Sequence, residues 1–205
     1  MTEQEKSYHH GNLASALIAA TVEIIDERGV DGLSVREVAK RAGVSPGAPF
    51  RHFSSKAALL TAVAEQAMER LVAAVEVAQA DDDDTDPLAQ IERIGLGYLE
   101  WATQNPTHFQ IVSSRSLIDF NGSATLRQMN DGIRTRMADL LERAQQAGQL
   151  TANADTEALV LSCRAFVYGL ARMAADGHFP EWHPNGEPLD LMRRALADFI
   201  AGMRA

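Results

Sequence analysis

The chain has 205 residues, of which 46% are hydrophobic and 23% are charged, and its formal net charge is −9. This length and apolar content suffice for one sizeable core or two small domains, and they exclude a mainly disordered chain. The acidic balance argues at first sight against a nucleic-acid binder, because affinity for DNA rests largely on lysine and arginine contacts to phosphates.

The distribution of the charges changes that first impression. Residues 1–60 hold seven basic and seven acidic side chains, which leaves 12 of the 19 basic and 21 of the 28 acidic ones for the remaining 145 residues. Between Arg36 and Lys56, five basic residues accompany a single acid, Glu37. A locally basic segment therefore belongs to an acidic chain, and a DNA duplex responds to the local field.

The apolar residues recur at helical spacing along the chain, and alternating runs rich in β-branched and aromatic residues are missing. This pattern predicts an all-α protein of about nine helices. The first helix carries an apolar stripe from Leu13 and ends at Gly29. Ser34-Val-Arg-Glu37 is a capping box that opens a short helix closed by Gly43. Ser45-Pro46 then supplies a cap and an N-terminal proline for a second short helix, to about Phe53.

The later helices are predicted from their caps and apolar faces. Ser54 should cap a long helix that runs to the acidic segment 81–84. Three further helices are expected at about 87–103, 106–117 and 124–148, with Asp86-Pro87, Asn105-Pro106 and Ser123 at their starts. Asp155 begins an apolar helix to about Asp176. A loop rich in proline and glycine, 177–188, precedes a final helix with one apolar face.

The two short helices joined by Gly43-Val44-Ser45 have the dimensions of a DNA-binding helix-turn-helix. Ala39 stands where the helices must approach closely, and Val38 and Val44 are expected to face inward. The second helix would fit the major groove, where base pairs show distinguishable donor and acceptor patterns. Since any helical hairpin can contain such a glycine turn, this spacing alone does not distinguish a DNA-binding helix-turn-helix from an ordinary helical hairpin.

The segment Leu33-Ser-Val-Arg-Glu-Val-Ala-Lys-Arg-Ala-Gly-Val-Ser45, followed by Phe50-Arg-His-Phe53 and Lys56, resembles the DNA-binding domain of the TetR family of bacterial regulators. The resemblance covers about residues 8–60. Within that family, a subgroup is indicated by the opening Tyr8-His-His-Gly-Asn-Leu13 and by the alanine and proline before the aromatic residue in Ala48-Pro-Phe-Arg-His-Phe53. The resemblance to the family implies a three-helix DNA-binding domain over residues 1–55 and an effector-binding and dimerisation domain over residues 56–205.

The resemblance also implies the DNA contacts. Ser34 and Lys56 would hold phosphates at helix N-termini, and His52 resembles a phosphate-contacting histidine of the family. Phe50 replaces the usual tyrosine, so a hydroxyl contact is lost. Because the second helix presents small residues, specificity should lean on Arg51, thymine methyl groups and DNA shape. The predicted DNA-binding residues are Ser34, Arg36, Ser45, Pro46, Gly47, Ala48, Phe50, Arg51, His52 and Lys56.

For the rest of the chain the resemblance implies a homodimer that pairs through its last two helices and binds a palindromic operator. Burial of those helices within one subunit is the alternative. Aromatic and polar side chains of the central helices are candidates for an effector cavity, although ordinary core packing would also account for them. The candidate effector-binding residues are Tyr98, Trp101, His108, Phe109, Arg115, Met129, Phe166 and Tyr168.

The resemblance therefore implies a transcriptional repressor that a small molecule releases from double-stranded DNA. The competing class is an enzyme or helical carrier that contains a helical hairpin. The sequence has no glycine-rich phosphate loop, no activated-serine elbow and no paired histidine and carboxylate motif, so no enzyme and no cofactor are predicted. An activator, or a repressor without a ligand, stays open.

The remaining expectations concern location and metals. The single cysteine, Cys163, excludes an intrachain disulfide and a thiolate cluster, and it is expected to be inert core. No run of about 18 apolar residues occurs and Met1–Lys6 is polar, so we expect a cytoplasmic protein without signal peptide or membrane span. His9 and His10 lack a third ligand at a recognisable spacing, so no metal site is predicted.

Overall fold

The computed structural model describes residues 3–80, 86–183 and 185–205, with side chains from Leu13 onward. Over these ranges the chain forms α-helices and two 3₁₀ turns, and no strand. The α-helices are α1 Glu3–Arg28, α2 Val35–Arg41, α3 Lys56–Ala80, α4 Pro87–Gln104, α5 Pro106–Ser113, α6 Ala124–Gln146, α7 Thr156–Ala175, α8 Phe179–Trp182 and α9 Pro188–Ala201. The predicted all-α class is confirmed. The side chains of His9 and His10 lie outside the described residues.

The first half of the helix-turn-helix forms as predicted. Ser34 is extended, and its Oγ accepts a hydrogen bond from the amide of Glu37 at 3.2 Å, which caps α2. Val38 and Ala39 are fully buried. Gly43 closes the helix with φ +69°, a backbone conformation that side chains with a Cβ rarely adopt.

The predicted second short helix is wrong as an α-helix. Residues 45–53 form successive tight turns, with a 3₁₀ turn at Pro49–Arg51. The amide of Ala48 donates to the carbonyl of Ser45 at 2.9 Å, and the amide of Arg51 donates to that of Ala48 at 3.2 Å. Pro49 has no amide hydrogen, so it cannot make the α-helical bond to Ser45. The prolines and Gly47 therefore leave a chain of three-residue turns where a recognition helix was expected.

The ends of the later helices follow their caps, with two corrections. Asp86 caps α4 and Asp155 caps α7, as predicted. The α3 helix is capped by Ser55 instead of Ser54, because Ser55 Oγ accepts from the amide of Ala58 at 3.0 Å. The α5 helix ends at Ser113, before the predicted end, where Ser114 Oγ donates back to the carbonyl of Gln110. Such a hydroxyl competes with the backbone for its hydrogen bonds.

The chain divides into two compact units. Unit 1 comprises Met1–Ala67 and Thr107–Arg127, and unit 2 comprises Met68–Pro106 and Gln128–Ala205. These units reflect packing, whereas the expected boundary at residue 55 separates functions and stays a prediction. Within unit 1, the segment 107–127 is bonded to α1 and α3. The Thr107 hydroxyl donates to Asp26, and the Ser123 hydroxyl donates to Glu65.

Unit 2 is built around α4, which packs against α7 and α9. A Cβ at Gly95 would lie 2.7 Å from Leu196 Cδ2, and a Cβ at Gly97 would lie 3.1 Å from the carbonyl oxygen of Ala74. These two glycines therefore permit close approach of neighbouring helices. The start of α4 is also held by Asp86, which accepts from Gln149 Nε2 at 2.9 Å and from Arg204 Nη2 at 2.8 Å.

The α7 helix is the one described helix that is long and apolar enough to cross a membrane by length and composition, with a mean hydropathy of 1.4. A core helix of a water-soluble protein passes the same test, so this is weak evidence for a span. Only 17% of the stretch is buried within the chain, and Leu161 is 70% exposed. The helix therefore presents apolar surface outward.

Candidate DNA-binding site

The exposed face of α2 and the turns after it carry positive charge that no described residue neutralises. Arg36 and Lys40 are four residues apart, so they lie on one face of α2, and both are exposed. Arg51 is exposed in the 3₁₀ turn. No ion pair to any of these three side chains occurs among the described residues. They are therefore available to a polyanion.

Arg41 differs from its neighbours in charge compensation. Its two Nη atoms donate to the carboxylate oxygens of Glu27 at 2.8 and 2.7 Å, and Nη1 also lies 3.3 Å from Glu23. The hydrogen bond from Arg41 lowers the pKa of Glu27, and the same bond raises the pKa of Arg41. Arg41 therefore joins α2 to α1 and adds little to the field that DNA would meet.

Three of the predicted phosphate ligands also have contacts inside unit 1. Lys56 is half-buried, and its Nζ donates to the carbonyl of Val30 at 3.1 Å. An ammonium group has three protons, so Lys56 keeps donors for a phosphate. His52 is half-buried, with its ring centroid 6.3 Å from that of Phe53. Ser34 is exposed, and its Oγ caps α2.

The tip of the site is small and exposed. Ser45, Pro46 and Gly47 are exposed, Ala48 is half-buried, and Phe50 is 55% exposed. A Cβ at Gly47 would meet nothing within 4 Å, so the backbone here can approach another molecule closely. Pro49, which ends the helical ladder, is buried and anchors the turn.

The candidate effector residues are divided between the two units. In unit 1, His108 is buried, with its Nε2 3.5 Å from Gln66 Oε1, and Phe109 is 1% exposed. Arg115 is exposed, and its guanidinium lies 3.5 Å from the ring centroid of Phe120. These three side chains therefore have contacts within unit 1 that account for their positions.

In unit 2, Tyr98 connects two groups of side chains. Its ring lies 6.3 Å from that of Trp101 on α4, and the guanidinium of Arg164 on α7 lies 4.8 Å from the Tyr98 ring centroid. Arg164 is also 5.2 Å from the ring of Tyr168. Burial raises the pKa of Tyr98, and Arg164 opposes this. Arg164 is not among the residues predicted from the sequence, although its spacing of four residues from Tyr168 places both on one helical face.

The other candidates of unit 2 do not join this group. Phe166 stacks on Phe199 of α9, with ring centroids 4.3 Å apart, and Met129 is half-buried on α6. Cys163 is 4% exposed, and burial raises the pKa of its thiol to about 11, as expected for an inert core residue. Among the described residues, no group of three or more metal-ligating side chains is arranged to hold an ion.

Comparison with known proteins places this geometry in a family. Residues 17–63 match the model of bacterial regulatory proteins of the tetR family, and residues 91–199 match the model of the tetracyclin repressor-like C-terminal domain. The tetracycline repressor protein class A from transposon 1721 of Escherichia coli is 44% identical over 69 residues, which are 34% of this chain and 32% of that protein. The regulator BetI of Stenotrophomonas maltophilia strain R551-3 is 36% identical over 95 residues, 46% of this chain and 48% of BetI.

Solved structures extend the likeness to nearly the whole chain. A protein with unknown function from Rhodococcus sp. RHA1 has a TM-score of 0.79 and 27% identity, and the match covers 97% of this chain and 98% of that one. The TetR family regulator PfmR from Thermus thermophilus has a TM-score of 0.68 at 19% identity, with 90% and 96% covered, which shows the shared fold. The curated relatives above are matched over less than half their length. The C-terminal model alone covers more than half of this chain, and the chain therefore belongs to the TetR family of DNA-binding transcriptional regulators.

Proposed function

We propose that the protein is a homodimeric repressor that occupies a palindromic operator and leaves it when a small molecule binds. The observation that carries the proposal is the set of exposed cations on unit 1, Arg36, Lys40 and Arg51, beside a tip that is small enough to approach base edges. Uncompensated arginine and lysine side chains release counterions from DNA when they contact phosphates. The family relation supports regulation, and it also argues against an enzyme.

The individual DNA contacts are part of this proposal. Arg36, Lys56 and the hydroxyls of Ser34 and Ser45 are assigned to phosphates, together with His52. Pro46, Gly47 and Ala48 form the surface next to the base edges, with Phe50 and Arg51 beside them. Arg51 is the one long donor at this tip, so direct readout of guanine should be confined to it, and DNA shape should supply much of the remaining specificity.

The proposed dimer uses α7 and α9. A two-fold axis between two copies would cover the outward apolar surface of α7 and would present two tips about one DNA turn, roughly 34 Å, apart. If a second copy covers α7, the apolar character of this helix is explained without a membrane. We therefore propose that the protein is cytoplasmic. Palindromic operators follow from the two-fold symmetry.

Release requires a ligand that binds the two states of the regulator unequally. A small molecule lowers DNA affinity only by its differential affinity for the DNA-binding and the non-binding state. We assign its site to the aromatic residues of unit 2, Tyr98, Trp101 and Tyr168, with Met129 and Phe166 as further candidates. Three residues of unit 1 also remain candidates for effector binding: His108, Phe109 and Arg115. Ordinary packing within unit 1 is the alternative explanation for their positions.

A charge placed on the tip tests the proposal. We expect selection from random duplex DNA with the full chain to recover a palindrome, and Gly47→Glu to abolish binding to it, because the open space at Gly47 accepts the side chain while its carboxylate faces phosphates. Gly132→Glu is the matched control: it makes the same charge change at an exposed glycine of α6 that also has nothing within 4 Å of its Cβ. Failure to recover any palindrome, or equal loss in both variants, would contradict the proposal.

A further inference from the structure

Trp101 carries a hydrogen-bond donor that the described residues leave without an acceptor. The side chain is 3% exposed, and its Nε1 makes no hydrogen bond. An indole nitrogen is a donor only, so a single acceptor would satisfy it. Leaving a buried donor unpaired costs free energy, and such a group in a folded protein calls for an explanation.

Three possible acceptors that lie close to Trp101 in the sequence of α4 already have other partners. The carbonyl of Trp101 accepts from both the amide and the side-chain Nδ2 of Asn105, each at 2.9 Å. The carbonyl of Leu99 accepts from the hydroxyl of Thr103 at 2.8 Å. The Tyr98 side chain bonds to Arg164, which affects its pKa. Among the described residues, none of these groups accepts from the indole N–H.

The helix that carries Trp101 cannot easily turn to find another acceptor. At Gly97, one turn before Trp101, an added Cβ would lie 3.1 Å from the Ala74 carbonyl and 3.2 Å from Val75 Cα, so α4 and α3 are in backbone contact there. At Gly95, an added Cβ would lie 2.7 Å from Leu196 Cδ2 and 3.3 Å from Val167 Cγ1, so side chains of α9 and α7 pack against α4 there. Rotation of α4 would break both close contacts, because interiors are packed without slack. The Trp101 side chain is itself 3% exposed, so its packed neighbours also restrict rotation of the indole and hold the donor in place.

We infer that Trp101 Nε1–H donates to an oxygen acceptor of a small, largely apolar effector that binds in unit 2 beside Tyr98. This inference rests on the proposed function and names the chemistry of its ligand. The Tyr98 ring, 6.3 Å from the Trp101 ring, favours a largely apolar body, and one buried donor favours a carbonyl or carboxylate oxygen on it. A site that is built to donate to an oxygen rejects analogues without one, because the donor is then left unpaired.

The chain has two tryptophans, Trp101 and Trp182, so a ¹⁵N-labelled sample shows two indole N–H signals that Trp182→Phe assigns. The probes are acetophenone and α-methylstyrene, which have the same shape but differ in the oxygen. Acetophenone should move the Trp101 signal downfield in a saturable way, and α-methylstyrene should not. The signal of Trp182, which is 77% exposed, should stay in place.

Trp101→Phe keeps an aromatic ring and removes the donor, so it should weaken acetophenone binding at least fivefold, with Trp182→Phe unchanged. Equal shifts with both probes, no shift with either, or a Trp101 N–H that is already hydrogen-bonded in the free protein would each overturn the inference. No DNA is needed in these measurements. A failure here with intact operator binding removes only the ligand assignment, whereas a failure of operator binding with the shift present removes the proposed repressor.

Discussion

The basic residues near the N-terminus differ in what their charge can do. Arg41 is held by Glu27 and Glu23, while Arg36, five residues earlier, has no ion pair among the described residues. Both are arginines of the same short helix, and the sequence alone gives them equal weight. The neighbours on α1 decide which guanidinium can meet a phosphate and which one joins two helices.

This difference predicts separate salt dependences. Arg36→Ala should weaken operator binding and reduce the slope of log K against log salt concentration by about one, the value for one lost phosphate contact. Arg41→Ala removes the same formal charge but should leave the slope nearly unchanged, since Glu27 already compensates it. Fluorescence anisotropy across a salt series measures both slopes. Equal slopes for the two variants would show that ion pairing within unit 1 does not determine which of the two arginines contacts a phosphate.

The lowered pKa of Asp86 predicts how the stability of the protein depends on pH. Burial alone would raise its pKa, but hydrogen bonds from Arg204 and Gln149 and from two α4 amides outweigh burial and lower it. A lowered folded-state pKa means that the stabilisation is fully present above the ordinary pKa near 4 and is lost as the pH falls through the folded value.

Asp86→Asn should therefore lower the free energy of unfolding at pH 7 by about 1–2 kcal/mol, roughly the difference between a hydrogen bond to a charged acceptor and one to a neutral acceptor. The difference from the wild type should shrink toward pH 3 as the wild-type carboxylate takes up a proton. Urea unfolding at both pH values measures it. Asp155→Asn is the control, because the side chain of Asp155 accepts only from the amide of Ala158 among the described contacts. A difference for Asp86→Asn that does not change with pH would refute the electrostatic explanation.

At the scale of elements, substitution of a glycine of α4 and of a glycine of α6 by alanine should change the stability in opposite directions. Alanine in a helix is more favourable than glycine by about 1 kcal/mol, so Gly132→Ala, in open space, should stabilise the protein by up to that amount. At Gly97 the new methyl would press on the backbone of α3, and overpacking of this kind costs about 1–3 kcal/mol. Gly97→Ala should therefore lower the melting temperature, and Gly132→Ala should raise it. Thermal unfolding of both variants decides this, and a stabilising Gly97→Ala would show that α3 moves aside.

Helix ends that are marked by a strong cap could be predicted from the sequence. The side chains of Asp86 and Asp155 each accept a hydrogen bond from a backbone amide at the predicted helix start. The segment 45–53 could not be predicted in this way, because the same Ser-Pro signal that opens a helix is followed by Gly47 and Pro49. Pro46 is tolerated because the first amides of a helix have no partner within the helix. Pro49 lacks the amide that would donate to the carbonyl of Ser45, so the α-helical hydrogen bonds do not form. The choice between Ser54 and Ser55 likewise depends on backbone geometry that neighbouring serines do not reveal.

For the whole molecule, the two candidate sites differ in how far sequence can define them. The proposed DNA-binding residues all lie between Ser34 and Lys56, so one motif brings them together before any long-range packing is known. The effector candidates lie between Tyr98 and Tyr168 on several helices, and only tertiary structure shows which of them meet. Packing joins Tyr98 to Arg164 and Phe166 to Phe199, and neither pairing follows from helical periodicity.

The proposed dimer gives the last prediction. Leu161 is 70% exposed on α7, and a glutamate there would place a charge in the apolar surface that a second copy should cover. We expect Leu161→Glu to convert a dimer into a monomer in sedimentation experiments. Operator affinity should then fall by more than tenfold, since a monomer contacts one half-site and loses the second set of phosphate contacts.

Val77→Glu is the matched control for this variant. Val77 is 73% exposed on α3, outside α7 and α9, so the substitution adds the same charge at a similarly exposed apolar position. We expect it to leave the dimer and operator binding intact. A wild-type chain that sediments as a monomer, or a Leu161→Glu variant that remains dimeric, would contradict pairing through α7. If Val77→Glu dissociated the dimer instead, α3 would be the helix that the second copy covers.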